Sequence, residues 1–249
     1  MYRRFYIFIL IALALASCTK VETVRDVAVQ FNADISPEMT VLVRGGEVQP
    51  EPVIANHAVL QAWRGDVLAT QAVQNIAPGT TQVSFSGVKL AGGAEYTIYI
   101  WVDCEGYYNT SDLRSVSVTK VYDGKSDGFD AFYSCTTVIC GQDDEVHNVT
   151  LKRPFAKVSF SAAVTKDAHI SYTAPNTLNL KTGKVSGSKS VGYSVEHGDS
   201  GVEAFDYVFA DEGLSQMSYT FKLGEVEAST ATVPIARNTK TNIIYAITN

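Results

Sequence analysis

The chain has 249 residues and a formal net charge of −6 at pH 7, from 20 basic and 26 acidic side chains. An acidic chain is repelled by the phosphate backbone of nucleic acids. The sequence contains no basic stripe with interleaved aromatic residues that would offset this repulsion. These features argue against nucleic acid as a partner.

The first residues have the three-part pattern of a secretory signal peptide. Arg3 and Arg4 supply positive charge, residues 5–16 are almost entirely apolar, and small residues follow. The apolar run has about a dozen residues, whereas a membrane-spanning helix needs ~20 to cross a hydrocarbon core of ~30 Å. We therefore predict that residues 1–17 are a signal peptide that is removed.

This pattern ends in Leu15, Ala16, Ser17 and Cys18, which resemble the lipobox of bacterial lipoproteins. The resemblance implies cleavage before Cys18 and attachment of diacylglycerol to its thiol. Because several acyl chains make release from a membrane slow, residues 18–25 are predicted to form a lipidated tether. The mature chain keeps 18 basic and 26 acidic residues, a formal charge of −8.

Alternation of apolar and polar residues, the period of a half-buried β-strand, dominates the chain after residue 24. Runs at 27–31, 96–102, 158–164 and 217–223 are examples, and turn-forming pairs such as Asp123-Gly124 separate them. The pattern predicts an all-β fold with packed sheets. A polar, turn-forming stretch at 141–145 indicates two β-sandwiches, covering residues 26–145 and 146–249.

Three cysteines remain besides Cys18, namely Cys104, Cys135 and Cys140. An odd number leaves at least one thiol unpaired, so the protein is not a disulfide scaffold. A bridge between Cys104 and Cys135 on neighbouring strands is one interpretation. The other is that all three are small buried apolar residues.

Several stretches resemble the fimbrillin-like lipoproteins of type V fimbriae, a family that includes fimbrial subunits, anchors and accessory proteins. They are spread over most of the mature chain, and the two most specific are residues 151–157 (LKRPFAK) and 237–242 (RNTKTN). The full set is 59–71 (VLQAWRGDVLATQ), 107–118 (YYNTSDLRSVSV), 130–133 (DAFY), 149–160 (VTLKRPFAKVSF) and 234–243 (PIARNTKTNI).

The resemblance implies two tandem transthyretin-like Greek-key β-sandwiches on a protein attached to the outer membrane by the lipid on Cys18. It also implies fimbrial subunits or a host or surface ligand as partners, and it favours the cell surface over the periplasmic face. Fimbrial subunits of this family are trimmed after an arginine, but none of Arg25, Arg44 and Arg64 stands out as such a site. This departure favours an anchor or accessory role over polymerisation.

The predicted mechanism is pairing between an exposed edge strand and an extended segment of a partner, with main-chain hydrogen bonds giving affinity. The terminal run 241–248 is the predicted donor or acceptor, with Ile243, Tyr245 and Ile247 on one side. The alternative is that this run is an ordinary last strand of the second sandwich.

Aromatic residues suggest a second function, the binding of a glycan. Trp101, Tyr107 and Tyr108 cluster at one strand end, where stacked rings could hold the face of a sugar. Core packing and cross-strand pairing explain the same residues without a ligand.

The remaining motifs favour structural interpretations. The triplet Arg64-Gly65-Asp66 resembles an adhesive motif, but it is also what a two-residue hairpin turn requires. The carboxylates at 143–145 lack the spacing of a calcium loop. No histidine belongs to a hydrolase or zinc-protease motif. We therefore predict a non-enzymatic protein without metal or cofactor.

Overall fold

The computed structural model describes residues 25–42, 48–225 and 229–245, so the signal peptide and Cys18 lie outside the described residues. Within these ranges the protein is almost entirely β-structure, and the prediction of an all-β fold is confirmed. No helix in these ranges is long and apolar enough to cross a membrane.

The structure has twenty strands and a short 3-10 turn in the described ranges. The strands are β1 (Asp26–Ile35), β2 (Glu38–Val41), β3 (Val48–Pro50), β4 (His57–Arg64), β5 (Val67–Asn75), β6 (Gln82–Ala91), β7 (Glu95–Asp103), β8 (Tyr108–Asn109), β9 (Val116–Val118), β10 (Phe132–Ile139), β11 (Glu145–Leu151), β12 (Phe155–Ala162), β13 (Ala168–Ala174), β14 (Thr177–Leu178), β15 (Val185–Ser186), β16 (Lys189–Val195), β17 (Val202–Phe209), β18 (Ser215–Leu223), β19 (Ser229–Ile235) and β20 (Thr239–Tyr245). The 3-10 turn is Asp127–Phe129.

The first sandwich packs a sheet of order β11-β1-β6 against a sheet of order β10-β7-β4-β5. Strand β1 shows how the sequence produces this layer. Val27, Val29, Phe31 and Ala33 alternate with more exposed residues and are buried, because successive side chains of a strand point to opposite faces.

The second sandwich packs a sheet of order β17-β12-β20-β2-β3 against one of order β16-β13-β18-β19. A small sheet of order β15-β14-β9-β8 joins segments from both halves of the chain. Together these sheets enclose a second core rich in aromatic rings, including Phe155, Phe160, Phe209 and Phe221.

The predicted boundary between residues 145 and 146 does not coincide with this architecture. Strand β11, which begins at Glu145, runs parallel to β1 and completes a sheet of the first sandwich. Strands β2 and β3 leave the first half of the chain and extend the second sandwich, where β2 pairs with β20. Each of the two sandwiches, here called the two units, therefore contains strands from both parts of the chain. No single cut in the sequence separates them.

The sheet β10-β7-β4-β5 is buried on both faces over its central strands. Leu60 and Ile100 point into the first core. Trp63, Tyr99 and Trp101 point the other way, into the second core. This sheet is therefore the layer that both units share.

Buried ion pairs lie where the two units meet. Arg153 donates to both carboxylate oxygens of Asp130 at 2.7 and 2.8 Å, and to the carbonyl oxygen of Pro37 at 2.6 Å. Its side chain is 0% exposed and that of Asp130 is 1% exposed. Because a buried charge is costly unless it is paired, this contact fixes how the loop before β10 sits on the connection between β11 and β12.

A second buried network involves Glu51, which accepts hydrogen bonds from Lys157 and Lys240 at 2.7 Å each. Glu51 follows β3, Lys157 lies in β12 and Lys240 in β20. Both lysines belong to the two sequence blocks that most resemble fimbrillin-like proteins. These two lysines therefore hold the segment after β3 against β12 and β20.

Asp206 is a buried carboxyl group on β17 with an unusual environment. Its Oδ2 atom accepts hydrogen bonds from the hydroxyls of Tyr172, at 2.7 Å, and Tyr193. Its Oδ1 atom has no hydrogen-bond partner among the described residues. Burial raises the pKa of Asp206 to about 6, although the two tyrosine hydroxyls oppose this effect.

Replacing Asp206 with asparagine is expected to remove a pH-dependent part of the stability. A carboxyl whose pKa is raised on folding stabilises the protein fully below its unfolded pKa, and this contribution is lost as the pH rises through about 6. The loss is about 3 kcal/mol. Urea unfolding of wild type, Asp206→Asn and the exposed control Asp199→Asn at pH 4 and pH 7 measures it. An unchanged pH dependence in Asp206→Asn would contradict the assignment.

Candidate functional site

The edge strand β5 exposes an apolar, uncharged surface. It is the last strand of the sheet β10-β7-β4-β5, and among the described residues only β4 pairs with it. Val67, Leu68 and Val73 are 69%, 39% and 54% exposed. The sequence of β5, VLATQAVQN, contains no charged residue and no proline. It therefore lacks the charges and prolines by which proteins commonly prevent edge strands from pairing with other chains.

The hairpin between β4 and β5 has a two-residue turn at Gly65 and Asp66, as the sequence predicts. Gly65 has a φ of +59°, a conformation that glycine adopts without steric cost. Arg64 and Asp66 are exposed. The carboxylate of Asp66 lies 3.6 Å from the guanidinium of Arg114, which also covers the ring of Trp63. Cleavage after Arg64 would therefore break the chain between β4 and β5 at this turn.

A second place with unpaired main chain lies in the sheet β16-β13-β18-β19. The ladder between β13 and β18 ends at the pair Tyr172 and Tyr219, although β13 continues to Ala174 and β18 begins at Ser215. The strands separate beyond that pair and open a cavity of about 720 Å³. Its lining combines apolar side chains, among them Val208, Phe209 and Met217, with several hydroxyl groups. Such a gap can accept an extended chain.

A comparison with known protein families shows which family the chain belongs to. Residues 21–246 match a family described as "Family of unknown function (DUF6562)". The chain belongs to this family. No curated protein matches the sequence significantly.

Solved structures similar to this DUF6562 protein include fimbrial proteins. The fimbrial anchor protein Mfa2 of Porphyromonas gingivalis has a TM-score of 0.52 at 14% identity, over 78% of this chain and 78% of that one. The tip fimbrial protein Mfa3 of the same organism has a TM-score of 0.52 at 12% identity, over 84% and 82%. A Bacteroides ovatus protein proposed to be an adhesin has a TM-score of 0.55 at 10% identity, over 81% and 73%. This likeness shows a shared fold and confirms the resemblance to fimbrillin-like proteins.

The terminal run of this family member is not a free extension. Strand β20 lies parallel to β12 along its whole length and pairs with β2 at its start. Ile243 is buried in the second core, and Tyr245 stacks on Phe221 with ring centroids 4.4 Å apart. The prediction that this run is a free donor strand is therefore wrong for Ile243 and Tyr245, because β20 is already paired with β12 and both side chains pack on the second core. Ile247 lies outside the described residues.

The predicted aromatic site is also a core feature. Trp101 is 0% exposed and Tyr108 is 5% exposed, with ring centroids 5.2 Å apart in an edge-to-face contact. Tyr107 is half-buried, and its ring packs edge-to-face on Phe129. A sugar cannot reach rings that are covered by protein. The proposal that Trp101, Tyr107 and Tyr108 form a stacking platform is therefore wrong for Trp101 and Tyr108.

The three cysteines in the described ranges, Cys104, Cys135 and Cys140, are free, so of the two interpretations the bridge between Cys104 and Cys135 is wrong. Cys140 is buried, while Cys104 and Cys135 are half-buried. Burial raises the pKa of Cys104 and of Cys140 to about 11. Burial raises the pKa of the Cys135 thiol as well, so thiolate chemistry is suppressed at all three cysteines.

Charged residues with possible catalytic or metal-binding chemistry have structural contacts instead. Asp144 accepts a hydrogen bond from the backbone N–H of Ala28 at 3.0 Å. Glu145 lies 3.1 Å from His147. Across strands β4 and β7, His57 and Asp103 form a buried pair at 2.7 Å, and this contact raises the pKa of His57. The described ranges contain no group of three residues arranged to hold a metal ion.

Proposed function

We propose that this protein is an exported, non-enzymatic lipoprotein that serves as a structural or accessory component of fimbriae or of another adhesive surface assembly. Lipid on Cys18 would attach it to the outer membrane, facing the cell exterior. Partner subunits would add an extended segment to the edge of β5. The observation that carries this proposal is the uncharged, exposed edge of β5, and the fold shared with Mfa2 and Mfa3 supports it.

The dimensions of β5 suit this role. Its nine residues give an edge of about 30 Å at ~3.4 Å per residue. Main-chain groups along such an edge supply affinity, while alternate side chains select the register of the incoming strand. The exposed valines and Leu68 would become buried in the complex, which adds a hydrophobic contribution.

The position of the anchor is compatible with a protein that stays near the membrane. Strand β1 begins at Asp26, eight residues after Cys18. A fully extended chain of this length spans at most about 29 Å. The first sandwich would therefore stay close to the lipid, as expected of an anchor or a basal accessory protein.

Replacing Val73 with lysine tests the pairing edge. Val73 is 54% exposed in the isolated protein, so the variant should fold with an unchanged melting temperature. In a complex the lysine would be placed beside an incoming strand and partly lose its hydration. We expect recovery of partner subunits with the tagged protein from cells to fall at least about tenfold, equivalent to ~1.4 kcal/mol.

The matched control for this experiment is Val121→Lys, at a position that is 77% exposed and lies outside any strand. This variant adds the same positive charge through the same change of an exposed valine to lysine. Equal recovery of partners with Val73→Lys and wild type, or an equal loss with Val121→Lys, would contradict pairing at β5.

A further inference from the structure

Arg237 differs from the other buried cations of the protein in how its charge is balanced. The described residues include three buried cations, Arg153, Lys157 and Arg237. Arg153 is paired with the buried carboxylate of Asp130, and Lys157 with that of Glu51. Buried charges normally have such a partner. Arg237 is the exception.

The carboxylate paired with Arg237 is that of Glu212, at 3.7 Å, and the Glu212 side chain is 85% exposed. The guanidinium, whose side chain is 5% exposed, donates to neutral oxygens instead. These are the carbonyl oxygens of Ala210 and Gly183 and the hydroxyl of Tyr133. They orient the guanidinium plane but carry no full negative charge. The group therefore keeps an excess of positive charge.

This guanidinium lines a cavity of about 300 Å³ between the two units. Lys152 and Lys181 add two exposed ammonium groups, and Ser134, Thr150 and Thr182 add hydroxyls. Glu212 is the acidic residue of the lining. The cavity thus concentrates positive charge and hydroxyl groups in a chain whose net charge is negative.

We propose that this cavity binds one acidic monosaccharide, a sugar unit that carries a carboxylate. The carboxylate would face Arg237 and the two lysines, because guanidinium and ammonium groups form their strongest hydrogen bonds with anionic oxygens. The hydroxyls of the lining would bind the ring hydroxyls of the sugar. The volume lies at the lower end of the range for small-molecule sites, which fits a single sugar unit.

The location of the cavity separates this function from strand pairing. Tyr133 and Ser134 belong to β10, at one edge of the sheet β10-β7-β4-β5, whereas β5 forms the opposite edge. The protein could therefore bind a glycan and a partner subunit at the same time. The inference goes beyond the proposed assembly role and does not depend on it.

The test uses the full-length purified protein in detergent, with calorimetric titration of glucuronate, galacturonate and N-acetylneuraminate. Glucose and acetate serve as the neutral sugar and the carboxylate without a sugar ring. We expect saturable binding of at least one acidic sugar, at least about tenfold tighter than glucose or acetate. Lys181→Glu should weaken this binding at least about tenfold, whereas Lys184→Glu should leave it unchanged.

Lys184 is a matched control because it is exposed on the same β14–β15 hairpin and lies outside the cavity lining. Both variants change the net charge equally, and unchanged melting temperatures would show that both are folded. Absence of saturable binding for all three acidic sugars would overturn the proposal. Equal affinity for acetate would assign a simple carboxylate site, such as one for a chain terminus, and would also overturn it. Equal effects of Lys181→Glu and Lys184→Glu on sugar binding would also overturn the proposal.

Discussion

Replacing Arg153 with alanine is expected to lower the free energy of unfolding by about 3–5 kcal/mol, the usual cost of removing one partner of a buried ion pair. The substitution leaves the carboxylate of Asp130 buried without its cation. It also leaves the carbonyl oxygen of Pro37 without the hydrogen bond from Nη1. Both groups precede β10 in the chain, whereas Arg153 follows β11, so the loss loosens the junction between the two sandwiches.

Urea unfolding of Arg153→Ala measures this effect, and Arg64→Ala is the control because Arg64 is exposed at a hairpin end. A third variant, Arg153→Met with Asp130→Leu, removes both charges and should be much closer to wild type, since apolar replacement of a whole buried pair is often nearly neutral. A loss below about 1 kcal/mol for Arg153→Ala would show that water reaches the pair.

Replacing Cys18 with alanine is expected to release the protein from the membrane. Without the thiol there is no attachment point for diacylglycerol, and each acyl methylene that leaves the bilayer costs about 0.8 kcal/mol of binding. Fractionation of cells should move the protein from the membrane pellet almost entirely to the soluble or secreted fractions. Metabolic labelling with a fatty acid should disappear in parallel.

The control for this experiment is Cys104→Ala, which changes a half-buried free cysteine and should leave both the label and the membrane fraction unchanged. Retention of Cys18→Ala in the membrane pellet at the wild-type level would contradict the lipid anchor. Protease treatment of intact cells expressing the wild type then distinguishes the cell surface from the periplasmic face.

The strands were predictable from sequence because their alternation is a local property. The pattern of β1 follows directly from the side-chain period of a strand. Gly65, with its positive φ, marks the turn between β4 and β5. Which strands pair with one another, in contrast, could not be predicted from local sequence. The pairing of β2 with β20 joins Thr40 to Thr239, and no local signal specifies a contact between residues so far apart in sequence.

The predictions of a glycan-binding site and of a terminal pairing strand are wrong for a related reason. Alternation assigns two faces to a strand, and one of them is normally taken to face solvent. In β7 the second face, with Tyr99 and Trp101, is covered by the other unit. Likewise, Ile243 lies in an internal strand. Whether a face is exposed depends on tertiary packing, so aromatic residues alone did not indicate a binding site.

The sequence contains a signal for the β5 edge. Nine consecutive residues without a charge or proline follow a tight turn at 65–66, and this is the composition of a strand that can pair with another chain. What the sequence could not show is that β5 ends its sheet. The blocks 151–157 and 237–242, in contrast, contain Arg153, Lys157 and Lys240, whose contacts are structural.

The most direct test of strand pairing at β5 is site-specific photo-crosslinking in living cells. A photoreactive amino acid is placed at position 73 in β5, and at position 121 as the control. Crosslinks to a partner subunit from position 73 but not from position 121, abolished when Leu68 is also replaced by lysine, are the expected result. Crosslinks of equal yield from both positions, or none from position 73 in cells that assemble the partner normally, would contradict the assignment of β5 as the assembly edge.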